Sequence, residues 1–160
     1  MKRLVLVLVL ASAMVYGLWS MDGFCTDLKG KIGLGVNWPG VQFRYGISNN
    51  LLVEGKAQFA VNNQTNLVMP IGGRVYYLLP EIKGNMPIIP YAGGEFDWII
   101  SPVLSGGYIT GGFYGAELML NKNISAGGDA GIYWVDVWWQ TNPHATDWGL
   151  IFNAGLTYYF

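Results

Sequence analysis

The 160-residue chain holds one histidine and one cysteine, so imidazole or thiolate chemistry must be assembled around His144 and Cys25. His144 lies in Thr141-Asn142-Pro143-His144-Ala145-Thr146-Asp147, a composition that predicts an exposed loop. A serine hydroxyl deprotonated by a histidine, itself oriented by a carboxylate, is the machinery of acyl transfer, and Ser101, Ser105 and Asp147 are the residues that could join His144 at one rim. No local motif links them, and the same residues read as a plain polar loop, so no catalytic centre and no enzymatic activity are expected. A metal site would need several His, Cys or carboxylate ligands to converge; with one His and one Cys only the acids remain, and neither metal nor cofactor is expected. The Gly-Gly pairs 72-73, 93-94, 111-112 and 127-128 precede no helix N-terminus and cannot cradle a phosphate.

The remaining chemistry is ionic. Lys31, Arg44, Glu54, Lys56, Arg74, Glu95, Asp97, Glu117 and Asp129, four cations and five anions, each fall within a segment of alternating polarity, opposite that segment's large apolar residues. They are expected to form a compensated charge network inside a closed sheet, because an unpaired buried charge is very costly. The sharper alternative is a selectivity ring in a narrow pore.

The elements that must position these charges are strands. Period-two alternation is cleanest in Lys31-Ile32-Gly33-Leu34-Gly35-Val36-Asn37-Trp38 and recurs near 41–47, 51–61, 67–79, 88–100, 107–120, 124–138 and 148–160, eight segments in all. Runs of about ten or more residues suit tilted membrane-spanning strands better than the five or six typical of soluble sheets. Trp38, Phe43, Tyr45, Phe59, Tyr77, Phe96, Trp98, Trp134, Trp148, Phe152, Tyr158 and Phe160 share the apolar face. They are too bulky for an eight-stranded lumen, and of the strand glycines eleven fall on the charged face against five on the apolar one, so the charged face is expected inside and the aromatic face against lipid.

Composition agrees. Apolar residues make up 52% of the chain and charged residues 12%, against roughly 25% charged in soluble domains. A net charge of -1 offers no electrostatic basis for holding nucleic acid. At the start, Lys2-Arg3, the apolar run Leu4 to Leu10 and Ala11-Ser12-Ala13 read as a secretory signal peptide over 1–20, cleaved between 13 and 23. A short irregular segment over 21–28 then leads into a barrel over 29–160. Cys25 follows Asp22-Gly23-Phe24, which is no lipid-attachment sequence.

The last segment, Asn153-Ala154-Gly155-Leu156-Thr157-Tyr158-Tyr159-Phe160, resembles the C-terminal assembly signal of bacterial outer-membrane β-barrels, with Gly155, Tyr158 and Phe160 at its key positions. Over residues 29–160 the pattern is similar to the small eight-stranded porin-like and opacity-type barrels. The resemblance implies an up-and-down barrel in the outer membrane of a double-membrane envelope, exported by its signal peptide and inserted by the barrel-assembly machinery. It also implies turns near Ser48, Lys83 and Lys122 facing the periplasm, with loops near Pro39, Gln64, Leu104 and His144 facing outward. Those loops are short, unlike the long binding loops of many relatives. The expected function is a structural, membrane-integrity role with a side-chain-filled interior; the alternatives are a narrow channel for ions or small solutes, a lipid A-modifying enzyme like some barrels of this size, and a soluble lipocalin-like carrier.

Overall fold

A computed structural model describes residues 27–61, 67–84, 86–101, 104–139 and 144–160. The expected leader over 1–20, its cleavage site, Cys25 and the loop around Gln64 lie outside the described residues.

Strong alternation and β-branched content produce strands throughout the described residues, where no helix is long and apolar enough to cross a membrane, a fact that says nothing of strands. They are β1 (Ile32–Asn37), β2 (Gly40–Gly46), β3 (Leu51–Gln58), β4 (Ala60–Val61), β5 (Leu67–Leu78), β6 (Ile88–Ile100), β7 (Leu104–Met119), β8 (Ile124–Trp139) and β9 (Ala145–Tyr159). β4 continues β3 beyond Phe59 and pairs with the start of β5. Every neighbouring pair is antiparallel, and the β1–β9 and β3–β5 pairings close the sheet on itself. The result is an eight-stave up-and-down barrel, as the alternation predicts.

Two strands start three residues earlier than expected. Ser105-Gly106 and Thr146-Asp147 read as turn residues, yet Leu104 is registered against Trp139 and Ala145 against Val137. Ladder pairing with β8 overrides local composition there.

The wall is uneven. β1, β2 and β3 have 6, 7 and 8 residues, whereas β7, β8 and β9 have 16, 16 and 15. β1 runs out at Asn37, opposite Gly155, and the last bond on that side is Trp38 N–H to the Ala154 carbonyl, 2.8 Å. Among the described residues, the earlier part of β9 is registered with β8 alone.

The faces sort as the periodicity predicts. All twelve aromatics assigned to the apolar face are exposed, from Tyr45 at 42% to Trp38 at 81%. Inside, Tyr76, Tyr91, Phe113, Tyr133 and Tyr159 are buried among the ionic groups. Their rings fit because glycines face them: a Cβ on Gly93 would stand 2.5 Å from Phe113 Cζ, and one on Gly131 2.5 Å from Tyr133 Cε2.

The end that carries the turn Ile47–Asn50 is stoppered by Leu28, Leu52, Leu78, Ile89 and Met119, all buried. Leu28 belongs to the irregular approach segment, not to a strand. Gly30, at φ +75°, turns the chain so that its N–H meets the Gly46 carbonyl at 2.8 Å. Gly46 has no Cβ where Leu28 passes; one would stand 1.9 Å from the Leu28 carbonyl oxygen.

Candidate functional site

Alternation aims one side chain in two into the lumen, and eight of the nine charges expected there are buried: Arg44, Glu54, Lys56, Arg74, Glu95, Asp97, Glu117 and Asp129. Lys31 is only half-buried, just before β1, and no ion pair involves it among the described residues. Three cations therefore face five carboxylates, not the four expected.

The charges form two linked groups. Near the stoppered end, Arg44 Nε on β2 meets Glu54 Oε2 on β3 at 2.7 Å, while its Nη1 reaches across to Glu117 Oε2 on β7 at 3.2 Å. Tyr76 Oη donates to Glu54 Oε2 at 2.7 Å, Tyr159 Oη to Glu117 Oε1 at 2.9 Å, and Ser125 Oγ also donates to Glu117. Further up, Arg74 on β5 joins Glu95 on β6 (2.5 Å) to Asp129 on β8 (2.9 Å), and its guanidinium lies 4.7 Å above the Phe113 ring. Lys56 pairs with Glu95 and stands 2.9 Å from Asp97 Oδ2. Tyr133 Oη and Asn153 Nδ2 complete the set, donating at 2.9 Å to Glu95 Oε2 and Asp129 Oδ1. Arg74 Nε at 3.9 Å from Glu54 Oε1 connects the two groups.

This arrangement is suited to holding staves together. Each guanidinium bridges strands that are not neighbours in the wall, and in a low-dielectric interior such bonds are strong once their partners are satisfied. It offers little room for solutes. The space bounded by Asn37, Gln42, Arg44, Arg74, Tyr91 and Asp129 measures about 10 Å³, roughly the room one water needs.

The rim differs from expectation. The carboxylate beside His144 is Asp136, whose Oδ1 lies 2.9 Å from His144 Nε2. Asp147 instead accepts the Trp148 N–H at 2.8 Å through its own Oδ1. Asp136 is buried although it points outward, in register with Tyr108 on one side and Thr146 on the other. The signal for it was present in the sequence. Among Ile132, Trp134, Asp136 and Trp138, it is the one acid in an otherwise apolar row. Ser105 is exposed on β7, and no contact joins it to His144 among the described residues.

The residues of the assembly-signal pattern take two directions. Tyr158 and Phe160 project outward with ring centroids 4.9 Å apart, edge to face, while Gly155 faces inward beside Asn37. Among the described residues no group of three or more metal-ligating side chains is gathered.

Family models, curated proteins and solved structures offer no match to this chain. What is shown is the architecture: a small closed eight-stranded antiparallel barrel, a form common to outer-membrane barrels and lipocalin-like folds.

Proposed function

We propose that the protein is an outer-membrane β-barrel with a structural, envelope-integrity role and no enzymatic activity. One observation carries this: the barrel has its ionic groups within and its large apolar side chains without. A water-soluble carrier of lipocalin type needs the opposite, an apolar interior to hold its cargo and a polar surface to meet solvent. Hydrocarbon is the solvent that suits an exterior of Phe43, Phe96, Ile132, Trp134, Leu150 and Phe152. A closed sheet also leaves few unpaired backbone groups for lipid to strand.

The plugged form is favoured over the channel by the apolar stopper around Leu28 and by the arginines that span the lumen. Export by a signal peptide over 1–20, and insertion by the assembly machinery through Gly155, Tyr158 and Phe160, are parts of the same proposal. Membrane fractionation followed by heated and unheated gel mobility tests it: a membrane-bound, heat-modifiable band is expected, and recovery as a soluble monomer without detergent overturns it. Planar-bilayer recording separates plug from channel. Steady single-channel steps that change in Glu95→Gln would replace the structural role by a conducting one.

A further inference from the structure

The apolar exterior is lopsided. On β8 the outward row from Ile124 to Trp134 is apolar until Asp136 ends it. On a strand tilted by roughly 45° that row rises about 23 Å, close to the height of the lipid-facing band of a membrane barrel. Trp148 on β9 stands in register with Trp134 and continues the upper edge. On β1 the outward row is Ile32, Leu34, Val36 and Trp38, about 14 Å by the same geometry, and then the chain turns at Pro39. The two rows share a base, since Ile124 faces Tyr158 and Tyr158 faces Leu34. β1 and β2 therefore stop roughly 10 Å below the upper edge.

The missing height leaves backbone without a neighbour. Trp38 N–H bonds to the Ala154 carbonyl at 2.8 Å, and along an antiparallel strand the N–H and C=O of every second residue point the same way. Those of Phe152 and Leu150 consequently point into the notch above the Trp38-Pro39 turn. Among the described residues neither has a ladder partner on that side. Trp148, next in the series, has its N–H covered by the Asp147 carboxylate at 2.8 Å. Leu150 and Phe152 are 60% and 71% exposed, at a level where the tall staves present apolar side chains.

Stranding one such backbone group in hydrocarbon costs as much as many ångströms of bilayer thinning, so the four groups of Leu150 and Phe152 outweigh a mismatch of this size. Tilting the barrel is no remedy, because it would draw Lys31 and the turn Ile47–Asn50, at the base of the same staves, into the hydrocarbon. We infer that the bilayer thins locally beside β1 and β2, where phospholipid headgroups and water descend to the Trp38-Pro39 turn and solvate the free edge of β9. Trp38, 81% exposed at the tip of that turn, is then an interfacial ring at the lowered surface. The inference rests on the membrane reading above and adds a property to it: one side of the barrel fits a bilayer of ordinary thickness and the other a thinner one, so the protein deforms the membrane around it.

The test uses the full chain in dioleoylphosphatidylcholine vesicles, in a Cys25→Ser background, with a nitroxide attached at Leu150→Cys or at Phe96→Cys. Both positions face outward, eight residues up their strands from Tyr158 and Ile88. Access of a water-soluble nickel chelate to the nitroxide, set against that of oxygen, reads the local depth. Nickel access is expected to be several-fold greater at Leu150 than at Phe96. Repeating Leu34–Asn37 and Gly40–Phe43 once each lengthens the hairpin without changing which side chains face out, and should bring Leu150 down to the value at Phe96. Heat-modifiable mobility shows that the lengthened barrel is folded, and the comparison in the parent chain stands without it. Low nickel access at both positions, or a contrast that persists in the folded lengthened chain, overturns the thinning and leaves the membrane reading standing. High nickel access at both positions puts this level of the wall in water and overturns the membrane reading itself.

Discussion

The Arg44 guanidinium on β2 reaches the Glu117 carboxylate on β7, its opposite stave in the ring of eight, at 3.2 Å. A contact of this kind spans the barrel, and both groups are buried. It turns the lumen from a tube into a cross-braced interior, which is why the charges on the inner face act as struts.

The brace should be costly to break from one side. Glu117→Leu leaves Arg44 with Glu54 as its one carboxylate and removes the acceptor of Tyr159 and Ser125, and a loss of about 3–5 kcal/mol is expected from three buried donors deprived of one acceptor. Denaturant unfolding in detergent micelles measures it. Adding Arg44→Leu should restore part of the loss, and strict additivity of the two changes would show that the contact does not couple them.

The proposal of a lipid-facing exterior makes a sharper forecast at Ile132, which is 64% exposed halfway along β8. On a water-soluble surface Ile132→Arg would change stability by no more than about 0.5 kcal/mol. Facing the bilayer midplane, it should cost about 2–4 kcal/mol. Refolding into lipid vesicles at graded denaturant distinguishes the two, and a neutral result would place this face in water.

Leu28 is expected to matter as much as any strand residue. Leu28→Ala opens a cavity in the stopper and should destabilise by about 2–5 kcal/mol, visible as a lower temperature for conversion to the heat-modified band. An unshifted conversion would mean that the stopper adds nothing.

Phe160→Ala leaves the interior intact and removes one ring of the outward Tyr158–Phe160 pair. The folded, heat-modifiable fraction in membranes should fall while total synthesis is unchanged. Equal folded fractions in both strains would exclude a role for this ring in insertion.

His144→Ala breaks the approach to Asp136 at the rim. With Ser105 out of contact with the imidazole among the described residues, the mass spectrum of the host's lipid A should be the same for variant and parent. A mass difference would make the barrel an enzyme.

Much of the fold was legible because β-strand periodicity is a local property. A lumen-facing residue at position i makes i+2 lumen-facing too, so Glu95 and Asp97, or Glu54 and Lys56, announce their common face without knowledge of any neighbour. The same rule exposed Phe152 and Trp148. Asp136 escaped because it lies on the apolar face, where its partners are Tyr108 on β7 and His144 rather than residues of its own strand. Lys31 was overcounted because alternation continues one residue past the point where ladder pairing starts.

The sequence by itself thus determined the closed all-β architecture, the number of staves, and which side chains face in, since all three follow from alternation and turn chemistry along the chain. Only the tertiary structure decided who meets whom across the lumen, that Leu28 stoppers one end, that β1 stops at Asn37 while β9 runs on beside β8, and that His144 belongs with Asp136. Those are relations between residues far apart in sequence, set by ladder register and barrel closure, and no local pattern carries them.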